Sequence, residues 1–262
     1  MARRFFVSPL PPAGPTPLSP RLGHHLGRTV RTNPGDTVVL FDGAGNEASA
    51  TVLAVDARQI VVDVGARSTA PLGRVPRLAL DVAVALPKKR ADWLFEHGTE
   101  AGIRSFWPLL TARANRLHDE TAHWRRVLIA AAAQCDRAIL PTIRSPLTVD
   151  ELCRAPLPAA RFVATAADIE LGPTDAAEAL LVVGPEGGFT AAEIAQLLAA
   201  GFAPRSLGPL TLRTETAVLA GATRLLMHPD AAGSDQRISP SPPPLTDSPA
   251  ALRGGSSASA CT

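Results

Sequence analysis

The stretch Ala179-Leu180-Leu181-Val182-Val183-Gly184-Pro185-Glu186-Gly187-Gly188 decides the fold of the carboxyl-terminal half of this chain. Its run of apolar residues is typical of a strand that is buried on both faces. A glycine-rich turn follows, and Thr190 with Glu193 three positions later is the pattern of a capping box at a helix start. Strand, glycine loop and helix in this order predict an α/β layer fold with ligand-binding loops at the carboxyl ends of parallel strands.

The glycine loop alone leaves its chemistry open. Glycines let a ligand approach the backbone closely, and free amides at the following helix start bind an anionic or polar group. The loop has neither the Lys of a phosphate-binding P-loop nor the GxGxxG spacing of a dinucleotide site, which disfavours an unrelated nucleotide-binding protein. A plain turn explains the glycines equally well, and favourable electrostatics at the helix start explain Glu186.

A second stretch, Ser206-Leu207-Gly208-Pro209-Leu210-Thr211-Leu212-Arg213-Thr214-Glu215-Thr216-Ala217, joins a short strand to the last helix. That helix is predicted from Glu215 to Met227, with Thr214 as its cap and Glu215 as a favourable first-turn acid. Arg213 has no such simple explanation. A guanidinium beside a buried loop needs a carboxylate, a phosphate or a substrate oxygen as its partner.

Two different patterns precede these stretches. Short β-branched runs separated by Asp-Gly and Gly-Asn predict hairpins, and therefore a small sheet or barrel, in the first part of the chain. After Pro71, Gly73 and Pro76, which suit a linker, apolar strands alternate with helical segments. The predicted strands are Thr37 to Phe41, Ala48 to Val55, Gln59 to Val64, Leu78 to Leu86, Ile103 to Leu109, Arg161 to Ala166 and Ala179 to Val183. The predicted earlier helices are Ala91 to Ala101, His123 to Cys135 and one that Thr190 caps and Gly201 ends.

The composition, with 46% hydrophobic and 19% charged residues, indicates a globular protein. No apolar run of roughly 18 residues predicts a membrane span, and prolines interrupt the apolar residues near the amino terminus, which does not fit an export signal. The cysteines are odd in number and widely spaced, so we expect a reducing cytoplasm, no disulfide framework and no metal. Ser, Pro and Gly dominate residues 230–262, which predicts a disordered tail.

Positive charge is concentrated in the first part of the chain. Up to Ser145 there are 19 Lys and Arg residues against 12 acids, whereas from Pro146 to Pro229 there are 5 against 9. Before Asp36, the first acid, the chain carries Arg3, Arg4, Arg21, Arg28 and Arg31 together with His24 and His25. Such an arm suits a polyphosphate partner such as nucleic acid, although a solvated basic face has the same composition.

Taken together, the two loop stretches resemble the bacterial 16S ribosomal RNA uracil-N3 methyltransferase family of the SPOUT superfamily. GPEGG followed by LGPLTLRTETA is specific in both order and spacing. Further matches occur in the same order along the chain, and the resemblance covers Arg3 to about Leu226. They are His25 to Arg31, Pro34 to Asp36, Phe41 to Gly45, Glu100 to Gly102, Pro108-Leu109, Arg113, Trp124, Gln134 to Arg137 and Pro141 to Ile143.

The resemblance implies an α/β protein with three parts. These are a PUA-like β-barrel that helps to bind RNA (residues 1–72), a SPOUT α/β domain with a trefoil knot (residues 73–229) and the tail (residues 230–262). The cofactor implied is S-adenosylmethionine. The partners implied are 16S rRNA within the small ribosomal subunit and a second copy of the chain, since each active site in this family borrows from its neighbour.

The resemblance also implies functional residues, with Arg213 and Glu215 as the catalytic pair. Arg213 would stabilise charge on a uracil oxygen, and Glu215 would orient Arg213 or accept the proton. The implied cofactor-binding residues are Thr165, Val183, Gly184, Pro185, Glu186, Gly187, Gly188, Leu207, Gly208, Leu212, Thr214, Thr216 and Ala217. The implied RNA contacts are Arg3, Arg4, His25, Arg28, Arg31, Arg90, Arg113 and Arg137.

One segment departs from the family pattern. Where that pattern has Lys-Met-Glu and then Gln-Lys, this chain has Arg90-Ala91-Asp92 and then Glu96-His97, so the RNA contacts here are less certain than the cofactor loops. Two other functions stay open at this point. One is a SPOUT methyltransferase for another ribosomal or transfer RNA nucleotide, and the other is a non-catalytic RNA-binding module.

Overall fold

The computed structural model describes residues 3–18, 32–55, 60–69, 76–114 and 120–226, which form two β-sheets. Three of the expected RNA contacts, His25, Arg28 and Arg31, lie outside these residues. The tail and most of the expected linker also lie outside them.

The first sheet uses residues from the amino-terminal part of the chain. Its strands are β1 (Arg3–Phe6), β2 (Gly14–Pro17), β3 (Thr37–Phe41), β4 (Asn46–Val55), β5 (Ile60–Val64) and β6 (Ser68–Thr69). The order is β1-β3-β4-β5-β2, with β6 paired to β4. The predicted hairpins β3-β4 and β4-β5 are confirmed, and alternate residues such as Val38, Leu40 and Val62 fill the core between them. Strand β1, which pairs with β3 in parallel, was not predicted from its sequence Arg-Arg-Phe-Phe.

The second sheet is parallel throughout and carries helices on both faces. Its strands are β7 (Ala79–Val84), β8 (Ser105–Leu110), β9 (Thr142–Ile143), β10 (Leu147–Thr148), β11 (Ala160–Ala164), β12 (Glu178–Val183) and β13 (Ala203–Arg205). The helices are α1 (Ala91–Glu100), α2 (Thr121–Gln134), α3 (Val149–Arg154), α4 (Ala191–Ala199) and α5 (Thr214–Leu226). The strand order is β10-β8-β7-β12-β11-β13, with β9 paired to β8.

The apolar run that opens the second half is the central strand β12. Leu181 and Val183 face the core shared with α1, α2 and α5, whereas Leu180 and Val182 face the core shared with α3 and α4. All four are fully or almost fully buried, as expected for a strand covered on both faces. Because all strands of this sheet run in parallel, the loops after β7, β8, β11 and β12 leave from the same edge.

The two predicted helix starts differ in outcome. The capping box is confirmed at α4, where the Thr190 hydroxyl accepts a hydrogen bond from the Glu193 amide at 3.2 Å. The expected cap at the last helix is wrong, because Thr214 is the first helical residue and its hydroxyl donates to the Gly184 carbonyl oxygen at 3.0 Å instead. A long-range contact with the glycine loop therefore replaces the local one.

The first sheet is joined to the second part of the chain through the segment 136–140. The Leu140 amide donates to the Gly43 carbonyl at 2.9 Å, and the Gly45 amide donates to the Ala138 carbonyl at 3.2 Å. Gly43 has φ +77°, and a Cβ there would lie 2.8 Å from a Leu140 methyl group, so the turn requires glycine. Two segments singled out by sequence, Phe41 to Gly45 and Gln134 to Arg137, thus lie at one junction.

Arg4 fixes this junction from the interior. Its side chain is 3% exposed, its Nη2 donates to Glu47 Oε2 at 2.9 Å, and its Nε lies 3.7 Å from Asp136 Oδ1. We expect Arg4→Ala to lower the free energy of unfolding by about 2–3 kcal/mol, because two carboxylates lose a buried partner while keeping some access to water. Urea denaturation measures the effect. The exposed Arg126→Ala is the control, with a change within about 0.5 kcal/mol, and equal effects would contradict the prediction.

Candidate active site

A cavity of about 540 Å³ opens at the carboxyl edge of the second sheet. Its volume is within the range of about 300–1,000 Å³ that is usual for small-molecule sites. Residues from the loops after β11, β12 and β13 and from the start of α5 form its walls. The expected cofactor residues that line it are Thr165, Val183, Gly184, Pro185, Gly187, Gly188, Leu207, Gly208, Leu212, Thr214 and Ala217.

Two expected cofactor residues do not line the cavity. Glu186 and Thr216 are exposed and are absent from its walls. Pro209, Leu210 and Thr211, which lie within the second quoted stretch, line it as well. The lining is completed by residues that were not predicted for it, which are Arg113, Ala164, Ala166, Phe189 and Ile194. Most are direct chain neighbours of predicted residues, so proximity in sequence was a usable signal. Arg113 and Ile194 come from other segments and carried no such signal for this cavity.

The glycine loop after β12 is a tight turn held from two sides. The Gly188 amide donates to the Pro185 carbonyl at 2.8 Å, and Gly188 has φ +67°. The hydrogen bond from Thr214 to Gly184 connects this loop to the start of α5. The two stretches quoted from the sequence therefore contact each other in the cavity wall, because the Thr214 hydroxyl of one donates to the Gly184 carbonyl of the other.

The loop after β13 also lines the cavity, through Leu207, Gly208, Pro209 and Leu210. The Gly208 amide donates to the Ser206 hydroxyl oxygen at 3.1 Å, and Gly208 has φ +125°, a conformation that favours glycine. Beyond this turn the Leu210 side chain is 78% exposed, although it belongs to the cavity lining. This loop thus presents a glycine backbone and apolar side chains.

Residues after β8 connect to the glycine loop and α4. Arg113 Nη1 donates to the Gly187 carbonyl at 2.8 Å, and Glu193 Oε1 accepts from the Ala112 amide at 2.8 Å. Burial alone would raise the pKa of Glu193, but hydrogen bonds from the Thr190 and Ala112 amides outweigh it and lower that pKa. Arg113, expected as an RNA contact, is therefore an exposed residue of the cavity wall.

The expected catalytic pair is not an ion pair. Arg213 is exposed and lies directly before Thr214, outside the cavity lining. Glu215 is 2% exposed, and its Oε1 lies 3.3 Å from Nη1 of Arg90, the residue before α1. The expectation that Glu215 orients Arg213 is therefore wrong, since its carboxylate faces α1 and pairs with a different arginine.

The expected RNA contacts divide into exposed and structural residues. Arg3 is exposed on β1, and the Arg90 side chain is 52% exposed. Arg4 is buried at the junction, so its role is structural and the expected RNA contact is corrected. Arg137 also has a structural role, because its guanidinium donates to the carbonyls of Ile139 at 2.7 Å and Thr99 at 3.0 Å. Burial lowers the pKa of Arg137 to about 10.

Two further findings concern the described residues only. In residues 3–18, 32–55, 60–69, 76–114 and 120–226, no helix has the length and apolar character needed to cross a membrane. Within the same residues, no three His, Cys, Asp or Glu side chains lie together in a way that could hold a metal ion.

Comparison with protein families identifies the class of this fold and cavity. A family model described as an RNA methyltransferase domain matches residues 74–226, which include the whole second sheet and the cavity. A second model, described as an RNA methyltransferase PUA domain, matches residues 18–65, a range that includes strands β3, β4 and β5 of the first sheet. The chain is thus an RNA methyltransferase with an amino-terminal PUA domain.

Comparison with individual proteins narrows this class. The chain is 33% identical over 255 residues to ribosomal RNA small subunit methyltransferase E of Mycobacterium bovis, with 90% of this chain and 96% of that protein aligned. It belongs to that methyltransferase family, which confirms the resemblance seen in the two loop stretches.

Two solved structures share this fold. A methyltransferase from Legionella pneumophila, solved with the bound cofactor SAM, superposes with a TM-score of 0.76 at 27% identity and covers 85% of this chain and 96% of its own. Ribosomal RNA small subunit methyltransferase E from Neisseria gonorrhoeae, at 23% identity, shares the fold with a TM-score of 0.76, covering 85% of this chain and 96% of its own.

Proposed function

We propose that this protein transfers a methyl group from S-adenosylmethionine to N3 of one uridine in the 16S rRNA of the small ribosomal subunit. The observation that carries the proposal is that the two loop stretches whose sequences define the resemblance line the same cavity. The Legionella pneumophila relative, which holds SAM, supports the cofactor. The Mycobacterium bovis relative, a ribosomal RNA small subunit methyltransferase, supports ribosomal RNA of the small subunit as substrate and, with it, a cytoplasmic location.

The residues present fit this cofactor. A Cβ placed on Gly188 or Gly208 would meet nothing within 4 Å, so the backbone at both positions faces open space. Val183, Leu212 and Ala217 supply apolar surface for an aromatic ring, and loop amides and the Thr165 hydroxyl supply polar partners. When bound, the cofactor supplies an electrophilic methyl group on a sulfonium. We propose that all the predicted residues that line the cavity bind the cofactor. Glu186 and Thr216 do not line it, so their side chains make no contact with the cofactor in this proposal.

In the proposed mechanism the chain acts mainly through Arg213. Uracil N3 must lose its proton, which passes to solvent, and negative charge then spreads onto the neighbouring carbonyl oxygens. A guanidinium fixed beside one of these oxygens stabilises that charge, which is an efficient catalytic device where water is excluded. Arg213 precedes a helix whose first residue lines the cavity, so the cofactor and this guanidinium are positioned by the same backbone.

We also propose that this chain has the trefoil knot, the domain boundaries and the homodimeric state of the family. The knot is supported by the path of the chain. From β13, at one edge of the sheet, the chain returns to α5, which packs on β7 and β12 in the centre, as expected for a threaded chain end. The boundary near residue 72 lies between β6 and β7.

The homodimer is supported by Leu210. This exposed side chain at the cavity rim is apolar, and a second copy would cover it. Light scattering at micromolar concentration tests the dimer, and a monomeric mass would contradict it.

The direct experiment uses small ribosomal subunits that lack the modification. We expect the full chain, incubated with S-adenosylmethionine and these subunits, to produce 3-methyluridine at one position of 16S rRNA, as mapped by mass spectrometry. Naked 16S rRNA and large subunits are the controls. A methyl group on another base would favour a different SPOUT specificity. An RNA that is bound but never methylated would favour the non-catalytic alternative.

A further inference from the structure

Three carboxylates are buried in the described part of the chain, those of Asp81, Glu193 and Glu215, and only the Glu215 carboxylate has an oxygen without a hydrogen bond. Glu215 lies in the first turn of α5 and is 2% exposed, yet its Oε1 has no hydrogen bond of good geometry. Its one ion pair in the described part of the chain is with Arg90, at 3.3 Å. A buried carboxylate costs several kcal/mol unless it is well paired, so packing alone does not explain a glutamate here. The amino-terminal position in α5 lowers that cost but does not remove it.

The backbone of Arg90 is fixed by α1, whereas its side chain is about half exposed to solvent. Its backbone starts α1, where its carbonyl accepts the Leu94 amide at 3.0 Å, but its side chain makes no capping bond. The nearest acid in the chain, Asp92, is engaged by His123 at 2.7 Å. Glu215 thus contacts a single nitrogen of a guanidinium that has five donors and is half exposed, which leaves donors free for a second anion.

The strand topology brings the segment that leads to Arg90 to the edge of the sheet where the cavity opens. Strands β7 and β12 are parallel neighbours, with Val84 paired to Val183, and the Ala85 amide still donates to the Val183 carbonyl at 3.2 Å. The chain from β7 to Arg90 and the glycine loop after β12 therefore leave the same edge side by side. Lys88 and Lys89, both exposed, add positive charge to this edge.

We propose that Glu215 is a positioning residue that holds the Arg90 guanidinium at the rim of the cavity, where Arg90 binds a phosphate of the RNA strand that carries the target nucleotide. This inference rests on the proposed function. Arginine suits the role because its planar fork can bind a carboxylate on one edge and a phosphate on the other. Glu215 then acts on the RNA through Arg90 and takes no proton from the uracil.

The test is a double-mutant cycle on unmodified small subunits with Arg90→Ala, Glu215→Gln and the double variant. We expect Arg90→Ala to raise the Kd and KM for the subunit by roughly ten- to a hundredfold and to lower the salt slope of binding by about one. Glu215→Gln should give a smaller loss of the same kind, and the double variant should bind no worse than Arg90→Ala alone, because the effect of Glu215 passes through Arg90. The calorimetric Kd for S-adenosylmethionine should stay unchanged in all three.

Two control variants separate the role of the Arg90 guanidinium from a general effect of positive charge. Arg126→Ala removes an exposed arginine of α2 that is not paired with a buried carboxylate in the described part of the chain. Arg90→Lys keeps the charge without the planar fork and should restore only part of the binding. Thermal unfolding checks that each variant is folded. Additive losses, or a Glu215→Gln variant with lower kcat, unchanged KM and a shifted pH profile, would overturn the inference. If wild-type protein methylates no RNA, the proposed function fails. If it does methylate RNA and Arg90→Ala binds as tightly, only this inference fails.

Discussion

Replacing Arg213 with alanine is expected to lower kcat by roughly a hundred- to a thousandfold, the size typical for loss of one fixed donor to a developing oxyanion. The Kd for S-adenosylmethionine should change little, because Arg213 lies outside the lining of the cavity. Its side chain is exposed, and removing it creates no void in the core. Single-turnover methylation of small subunits measures the chemical step, and calorimetry measures cofactor binding.

Two variants make the Arg213 result specific. Arg213→Lys keeps the charge but loses the planar fork, so it should recover part of the rate. Arg205→Ala removes another arginine of this half of the chain, whose guanidinium donates to the Pro204 carbonyl, and should leave kcat within about twofold of wild type. Equal losses of rate and cofactor affinity in Arg213→Ala would show that Arg213 binds cofactor and would remove it from the proposed chemistry.

The sequence predicted those parts of the fold that depend on local patterns. The continuous apolar run 179–183 gave the central strand, and Thr190 with Glu193 gave the start of α4. The same capping-box pattern in Thr148 and Glu151 marks α3, so this short helix could have been predicted from its own residues. The strand of Arg3 to Phe6 could not, because its pairing with β3 comes from a distant segment.

Side-chain roles were harder to predict, since they depend on contacts between distant segments. Arg4 lies in the basic amino-terminal segment and was expected to contact RNA, but the carboxylate of Glu47, 43 positions away, pairs with it in the interior. The hydroxyl of Thr214 bonds to a carbonyl 30 positions earlier, which no local capping rule includes. Glu215 and Arg213 are close in sequence, yet the helical geometry directs Glu215 toward Arg90. Motif spacing therefore indicated the residues that line the cavity, whereas the partners of these charged side chains follow only from the three-dimensional structure.

The glycine at position 208 gives the second large expected effect. Gly208 has φ +125°, lines the cavity, and a Cβ there would meet no protein atom within 4 Å. Valine at this position would therefore project into the space proposed for the cofactor and would also strain the loop. We expect Gly208→Val to weaken S-adenosylmethionine binding by more than about a hundredfold, since the branched side chain would fill space that the cofactor occupies against the loop backbone.

Backbone strain alone must be separated from this loss of space. Gly35 provides the matched control, because it has φ +92°, also faces no atom within 4 Å, and lies in the first sheet's part of the chain, away from the cavity lining. Gly35→Val and Gly208→Val should lower stability by similar amounts, of order 1–3 kcal/mol, in urea denaturation. Only Gly208→Val should lose cofactor affinity in calorimetry. If both variants bind the cofactor as wild type does, the cavity between the glycine loop and Gly208 is not the cofactor site.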